Sequence, residues 1–134
     1  MKKQLLSIGI LATIFSVLNI FVFGQAPQEK EATLQKLRHV VLFKFKEGVS
    51  EAHVKEVTDA FAALPKKIDE IKAFEWGTDV SVEKKADGFT HCFVVTFQSA
   101  ADRDSYIPHA AHQDFVKIVG PRLDKVLVVD YWAQ

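Results

Sequence analysis

Phe89-Thr-His-Cys-Phe-Val-Val-Thr-Phe-Gln98 is the stretch on which the fold turns. It is rich in aromatic and β-branched residues and follows the turn-forming Lys84-Lys-Ala-Asp-Gly88, so it reads as a strand. Strand side chains alternate between faces. Phe89, His91, Phe93, Val95 and Phe97 fall on one face, and Cys92 and Val94 on the other. A strand that is apolar on both faces needs cover on both. Two further stretches repeat the pattern. In Leu37–Lys46, His39, Val41, Phe43 and Phe45 oppose Val40 and Leu42; in Leu123–Trp132, Leu127, Val129 and Tyr131 oppose Val126, Val128 and Trp132. A fourth is one-sided: Phe74, Trp76, Thr78, Val80 and Val82 alternate with polar residues or glycine through Glu83, which predicts one dry and one wet face.

Helical signals lie between these strands. Ser50 is placed to cap a helix, with Glu51 favourable in its first turn. Val54, Val57, Phe61 and Leu64 then form one apolar stripe, and Pro65 ends it. Ser99, with Asp102 three residues on, starts a second helix that reaches about Tyr106. Pro108 interrupts it, and a further helical piece runs to about Val119, where Gly120-Pro121 closes it. The order βαββαβ predicts an α+β, ferredoxin-like sandwich with strand order 4-1-3-2. The first and third strands are expected to be parallel neighbours at its centre. Two helices can cover only one side of the sheet. The other side calls for a partner, and a second copy of the same sheet is the simplest one, so a homodimer is expected.

The side chains with acid–base capacity cluster in Asp104-Ser-Tyr-Ile-Pro-His-Ala-Ala-His-Gln-Asp-Phe115. Tyr106, His109 and His112 recur every three residues there, and the break at Pro108 can aim all three inward. His39 and His91 each stand near the start of an apolar strand, and parallel neighbours would bring them to the same end of the sheet. One apolar pocket would then hold up to four imidazoles and a phenol. An imidazole titrates near neutral pH and a phenol can donate to a developing oxyanion. The alternative role is structural: buried His side chains can bond backbone carbonyls and fix the joint between helix and sheet. His109 and His112 with Asp114 are the one conceivable metal set. Without Cys or clustered carboxylates around them, neither metal nor cofactor is expected. His53 reads as an ordinary exposed residue.

Taken together, Leu37–Lys46, Asp87–Gln98, Asp104–Phe115 and Leu123–Trp132 resemble the stress-responsive dimeric α/β-barrel (Dabb) family over roughly residues 37–132. The resemblance implies a homodimer whose two sheets form a barrel. It also implies a site, because plant polyketide cyclases of this family close an aldol ring without cofactor. On their pattern His112 matches the general base and Tyr106 the assisting phenol, while His39, His91 and His109 match pocket-lining positions. The chain departs from that pattern at one place. The family usually has Pro directly after the middle His, whereas here Ala110 follows His109 and the proline precedes it at 108.

The N-terminus reads differently from the rest. Lys2-Lys3, an apolar run from Leu5 to Phe23 and the exit Val22-Phe-Gly24 together describe a secretory signal, residues 1–24. Residues 25–36 are polar and form a tether, and 37–134 form the domain. The run is close to the ~20 residues of a spanning helix, so an uncleaved anchor is the competing reading. With the cut made, no membrane association remains. About 110 residues are left, the size of one domain, with a slightly acidic balance and no basic patch for nucleic acid. Cys92 has no partner in the chain and reads as a buried, inert thiol. Export separates the chain from polyketides made in the cytosol. The reading that follows is an exported stress-associated domain that binds a small apolar molecule. Its alternative is a cofactor-free enzyme (aldol-type cyclase, lyase, isomerase or monooxygenase), and a third possibility is a purely structural dimer in an envelope assembly. N-terminal sequencing of the exported protein should begin at Gln25, and recovery of intact Met1 from membranes would establish the anchor instead.

Overall fold

A computed structural model describes residues 35–134. The signal segment 1–24 and residues 25–34 of the tether lie outside the described residues. The elements are β1 (Leu37–Phe45), α1 (Glu51–Ala62), a 3-10 turn at Leu64–Lys66, β2 (Ala73–Thr78) and β3 (His91–Phe97). They continue as α2 (Ala100–Tyr106), α3 (Ala110–Val119), a second 3-10 turn at Gly120–Arg122, and β4 (Leu123–Trp132). The helix starts follow the expected chemistry. Ser50 Oγ accepts from the His53 N–H and Ser99 Oγ from the Asp102 N–H, while the Asp102 carboxylate accepts from the Gln98 N–H in return.

The sheet order is β2-β3-β1-β4, which is the expected 4-1-3-2 ferredoxin-like arrangement. The direction of one pair differs from expectation: β1 and β3 are antiparallel. The α1 crossover returns β2 in the direction of β1, and the β2–β3 hairpin then reverses β3. As a result His39 pairs with Val95 and His91 pairs with Phe43, four residues further along β1. At about 3.4 Å per residue the two imidazoles are set roughly 13 Å apart along the strands, at opposite ends of the sheet.

β2 is also shorter than its alternation suggested. It ends at Thr78, and Val80 and Val82 stand 89% and 92% exposed in the connection to β3. Local side-chain bonds take over from the ladder there. The Asp79 carboxylate accepts from the Ser81 N–H at 2.9 Å, and Ser81 Oγ accepts from the Glu83 N–H at 3.2 Å. Lys84, Asp87 and Gly88 then adopt positive φ to turn the chain back.

Register resolves which face meets the helices. His39, Val41 and Phe43 of β1 lie beside Phe93, Val95 and Phe97 of β3 under α1 and α3. Phe61 of α1 is the centre of this core. Its ring lies 4.6 Å from that of Phe93, 4.4 Å from Phe115 and 5.2 Å from Phe74. The opposite face carries three cross-strand rows: Ala73–Thr96–Arg38–Tyr131, Glu75–Val94–Val40–Val129 and Gly77–Cys92–Leu42–Leu127. No described helix covers these rows. Cys92 is therefore half-buried on an open sheet face rather than sealed in the core, its thiol pKa raised by burial and then by Glu75. β4 is exposed on both faces, with Val126 and Val128 toward the helices and Leu127, Val129 and Tyr131 away from them, all 45–54% exposed. Phe61→Ala should destabilise the fold by about 3–5 kcal/mol, the cost of a large core cavity, as read by urea unfolding. A loss below 1 kcal/mol would mean that the aromatic stack is not the core.

Candidate functional site

The site begins with a broken helix. Pro108 has no N–H to donate, and α2 stops at Tyr106. The chain restarts at α3 with His109 as its N-cap, whose Nδ1 accepts from the Ala111 N–H at 3.1 Å. In a continuous helix the Ala111 N–H would have bonded the Ile107 carbonyl. That carbonyl is instead taken by two side chains, His112 Nδ1–H and Gln113 Nε2–H, each at 2.8 Å. With Nδ1 donating to a carbonyl, neutral His112 carries its lone pair on Nε2.

The break also sends Tyr106 inward. Its side chain is fully buried, with its ring 4.3 Å from that of His112, 5.8 Å from His39 and 5.1 Å from Phe97. The Tyr106 hydroxyl is buried with no hydrogen-bond partner. Burial pushes the phenol pKa well above its ordinary value, so the group is a donor at any physiological pH. Burial likewise holds the His112 imidazole below its ordinary range. The Ile107 carbonyl opposes that shift, and the nearby His39 and His109 add to it.

His39 is held from the other side. Its Nδ1 lies 2.7 Å from Asp130 Oδ1, its cross-strand partner on β4. Asp130 Oδ2 accepts from Arg103 Nη1 of α2 at 2.8 Å, and Arg103 also donates twice to Asp104. Burial alone would raise the Asp130 pKa, but the hydrogen bonds from Arg103 and His39 outweigh it and hold the carboxyl below its ordinary value. Asp130 thus fixes one nitrogen of His39, as the Ile107 carbonyl fixes one nitrogen of His112.

These three side chains line a cavity of about 290 Å³. Val41, Phe43, Phe61, Phe115 and Val119 form its apolar floor and walls, and Val126 and Val128 of β4 form its outer side. The other two expected residues are elsewhere. His91 sits in a separate open groove, stacked at 6.2 Å on Trp76 and bonded through Nδ1 to Thr90 Oγ1. Burial lowers its pKa. His109 faces a third hollow beside Leu64, Lys67 and Asp114. Asp114 is paired with Lys117 at 2.8 Å, and no group of three or more His, Cys, Asp or Glu among the described residues is placed to hold a metal ion. The structure thus gathers His39, Tyr106 and His112 and separates His91 and His109 from them. Sequence reading missed Asp130 and Arg103. The available signal was a lone carboxylate in the run Leu127-Val-Val-Asp-Tyr131, with the parity of Val126 and Val128.

Known proteins share this arrangement of elements. The stress responsive A/B barrel domain family model matches residues 37–133. The stress-response A/B barrel domain-containing protein HS1 of Arabidopsis thaliana is 45% identical over 95 residues, covering 71% of this chain and 87% of that protein. Olivetolic acid cyclase of Cannabis sativa is 34% identical over 95 residues, covering 71% and 94%. Among solved structures, hydroxynitrile lyase from Passiflora edulis superposes with a TM-score of 0.71 at 30% identity, covering 75% of this chain and 95% of the lyase. A protein of unknown function from Bacteroides fragilis, described as dimeric with a ferredoxin-like fold, superposes with a TM-score of 0.60 at 25% identity, covering 73% and 96%. With the matched family model spanning the whole βαββαβ unit, the chain belongs to the stress responsive A/B barrel domain family.

Proposed function

We propose that this protein binds a small, largely apolar molecule bearing one oxygen acceptor in the cavity under His39, Tyr106 and His112. The observation that carries this reading is the Tyr106 hydroxyl. A buried donor left without a partner costs about 1–3 kcal/mol, and Tyr106, whose hydroxyl is such a donor, is among the residues that line an apolar cavity of about 290 Å³. A ligand carbonyl or hydroxyl would satisfy it. In the same reading the mature chain acts outside the cytosol, on the strength of the basic and apolar pattern of residues 1–24. It acts as a homodimer formed through the open sheet face. The half-buried Val40, Leu42 and Val94 and the exposed Leu127, Val129 and Tyr131 support this, as does the dimeric Bacteroides fragilis relative.

A second reading, cofactor-free acid–base catalysis, rests on the fixed tautomer of His112. Its lone pair on Nε2 is that of a general base, and the Tyr106 hydroxyl beside it can donate to the oxygen of a carbanion as charge develops there. Two of the similar proteins are named as a cyclase and a lyase.

Acetophenone and ethylbenzene, alike in shape but for the carbonyl, test the first reading. The wild type should prefer acetophenone several-fold, in line with one hydrogen bond of about 1 kcal/mol. Tyr106→Phe should erase that preference while leaving ligand-free stability unchanged or higher. A preference that survives the substitution would refute the donor role. Proton exchange at the acetophenone methyl in D2O separates the two readings: exchange abolished by His112→Ala supports catalysis, and binding without exchange supports a binding protein.

Stability should also fall as pH drops. His112 and His91 have folded pKa values below 6.5, so below about pH 6.5 the unfolded chain takes up protons that the folded one resists. Urea midpoints should therefore decline between pH 7 and 5.5 and decline less in His112→Gln. An unchanged slope would show that His112 is not held neutral. For the dimer, Val94→Asp at the centre of the open face should convert it to monomer in sedimentation equilibrium, and a monomeric wild type would overturn the pairing.

A further inference from the structure

Two imidazoles line the binding cavity, and each is held by its Nδ1. His112 gives that nitrogen to the Ile107 carbonyl, and His39 gives it to the Asp130 carboxylate at 2.7 Å. The two anchors differ in charge. A carbonyl is neutral, whereas an ionised carboxylate favours a second proton on the ring that faces it. Asp130 alone would therefore draw a cation into a pocket whose walls are apolar.

Arg103 alters that balance. Its Nη1 donates to Asp130 Oδ2 at 2.8 Å, while His39 meets Oδ1 of the same carboxylate. Guanidinium and carboxylate already neutralise one another, so a second proton on His39 would be a charge without a counter-charge. His39 is 8% exposed, and an uncompensated charge at that depth is costly. The other groups around the ring do not reverse this. The Tyr106 phenol, 5.8 Å away, is uncharged, and His112 is held neutral by burial, so neither supplies a negative charge. Val95, beside His39 on β3, and Phe97, against its ring, are apolar. Asp104 accepts from Nε and Nη2 of Arg103, but its side chain is 64% exposed against 26% for Asp130, so water screens it far more.

We propose that Arg103 is a positioning residue of this site: through Asp130 it keeps His39 uncharged, so that the cavity takes neutral hydroxyl-bearing molecules and rejects carboxylates. Arg103 is not among the residues that line the cavity, and it acts only through the chain Arg103–Asp130–His39. With Nδ1 of both rings committed, each ring offers its Nε2 lone pair, and the Tyr106 hydroxyl offers a donor. An alcohol or phenol suits both kinds of group, because a hydroxyl donates and accepts. A carboxylate only accepts, and its charge would face two lone pairs in an apolar pocket. This inference rests on the cavity reading above and deepens it by fixing the charge class of the ligand.

The ring of His39 reports the effect directly. With the histidine nitrogens isotopically labelled, NMR shows widely separated nitrogen resonances for a neutral imidazole and closely spaced ones for an imidazolium. At neutral pH His39 should read as neutral with its proton on Nδ1. Arg103→Gln should raise the pH at which the ring takes its second proton, and Arg103→Lys, which keeps the charge, should leave it near the wild-type value. A purely structural role for Arg103 would not distinguish these two variants by the charge on one ring. Binding should follow the same line. The wild type should prefer benzyl alcohol to benzoate by about tenfold or more, the scale of one unsatisfied buried group, and Arg103→Gln should narrow or reverse that preference. An imidazolium at His39 in the wild type at neutral pH, or the same His39 titration in wild type and Arg103→Gln, overturns the proposal. Benzoate bound as tightly as benzyl alcohol by the wild type overturns the selectivity. If His39 responds as expected but neither probe binds the wild type, the cavity reading fails and the selectivity with it, while the hold of Arg103 on His39 stands.

Discussion

The site depends on one carbonyl that a proline leaves free. Pro108 stops α2, His109 caps the restarted helix through the Ala111 N–H, and the Ile107 oxygen loses the donor it would have had in a continuous helix. The freed carbonyl takes up two side-chain donors in place of the backbone one, His112 and Gln113. This fixes which His112 nitrogen carries the proton, and it brings the ring against Tyr106. The same break lets Tyr106 leave the helix surface for the core. Tautomer, ring contact and inward phenol thus share a single cause. The shift of the proline to position 108, ahead of His109, is compatible with that geometry, because the displaced helix start is capped by His109 itself.

A second constraint acts on the sheet as a whole. One layer of helices cannot cover two faces, so the division of apolar residues between faces decides what the chain must do next. On the covered face, the aromatic stack around Phe61 fills the space under α1 and α3. The aromatic stack does not extend to β4, and the cavity lies between α3 and that strand. The cavity and the half-exposed valines of β4 thus lie at the same margin of the covered face.

Much of this was legible in the residues. Parity identified the doubly apolar strands, and Ser50, Ser99, Pro65 and Pro108 marked the helix boundaries within a residue or two. Of the three side chains that the break at Pro108 could aim inward, Tyr106 and His112 lie together and His109 lies apart. Three features were not legible, each for a physical reason. Strand direction is a property of connections, so the assumed parallel pairing of β1 and β3 wrongly brought His91 to the end of the sheet that holds His39. Alternation of Val80 and Val82 looked like strand, but the short-range bonds of Asp79 and Ser81 had already released the chain from the ladder. Asp130 and Arg103 acquire their role only when β4 is laid beside β1, because the contact with His39 spans 91 positions in the chain.

Asp130 has a bearing on folding as well as on the site. β4 is apolar on alternate residues of both parities from Val126 to Val129, so sliding it along β1 by one residue would exchange one set of valines and leucine for another. Hydrophobicity alone would barely distinguish the two alignments, although such a slip reverses every side chain. The carboxylate breaks that degeneracy. In the observed alignment it meets His39 and Arg103, and a step of one residue would carry it to the other face beside neither. The residue that orients an imidazole is thus also the mark by which an otherwise ambiguous strand finds its place.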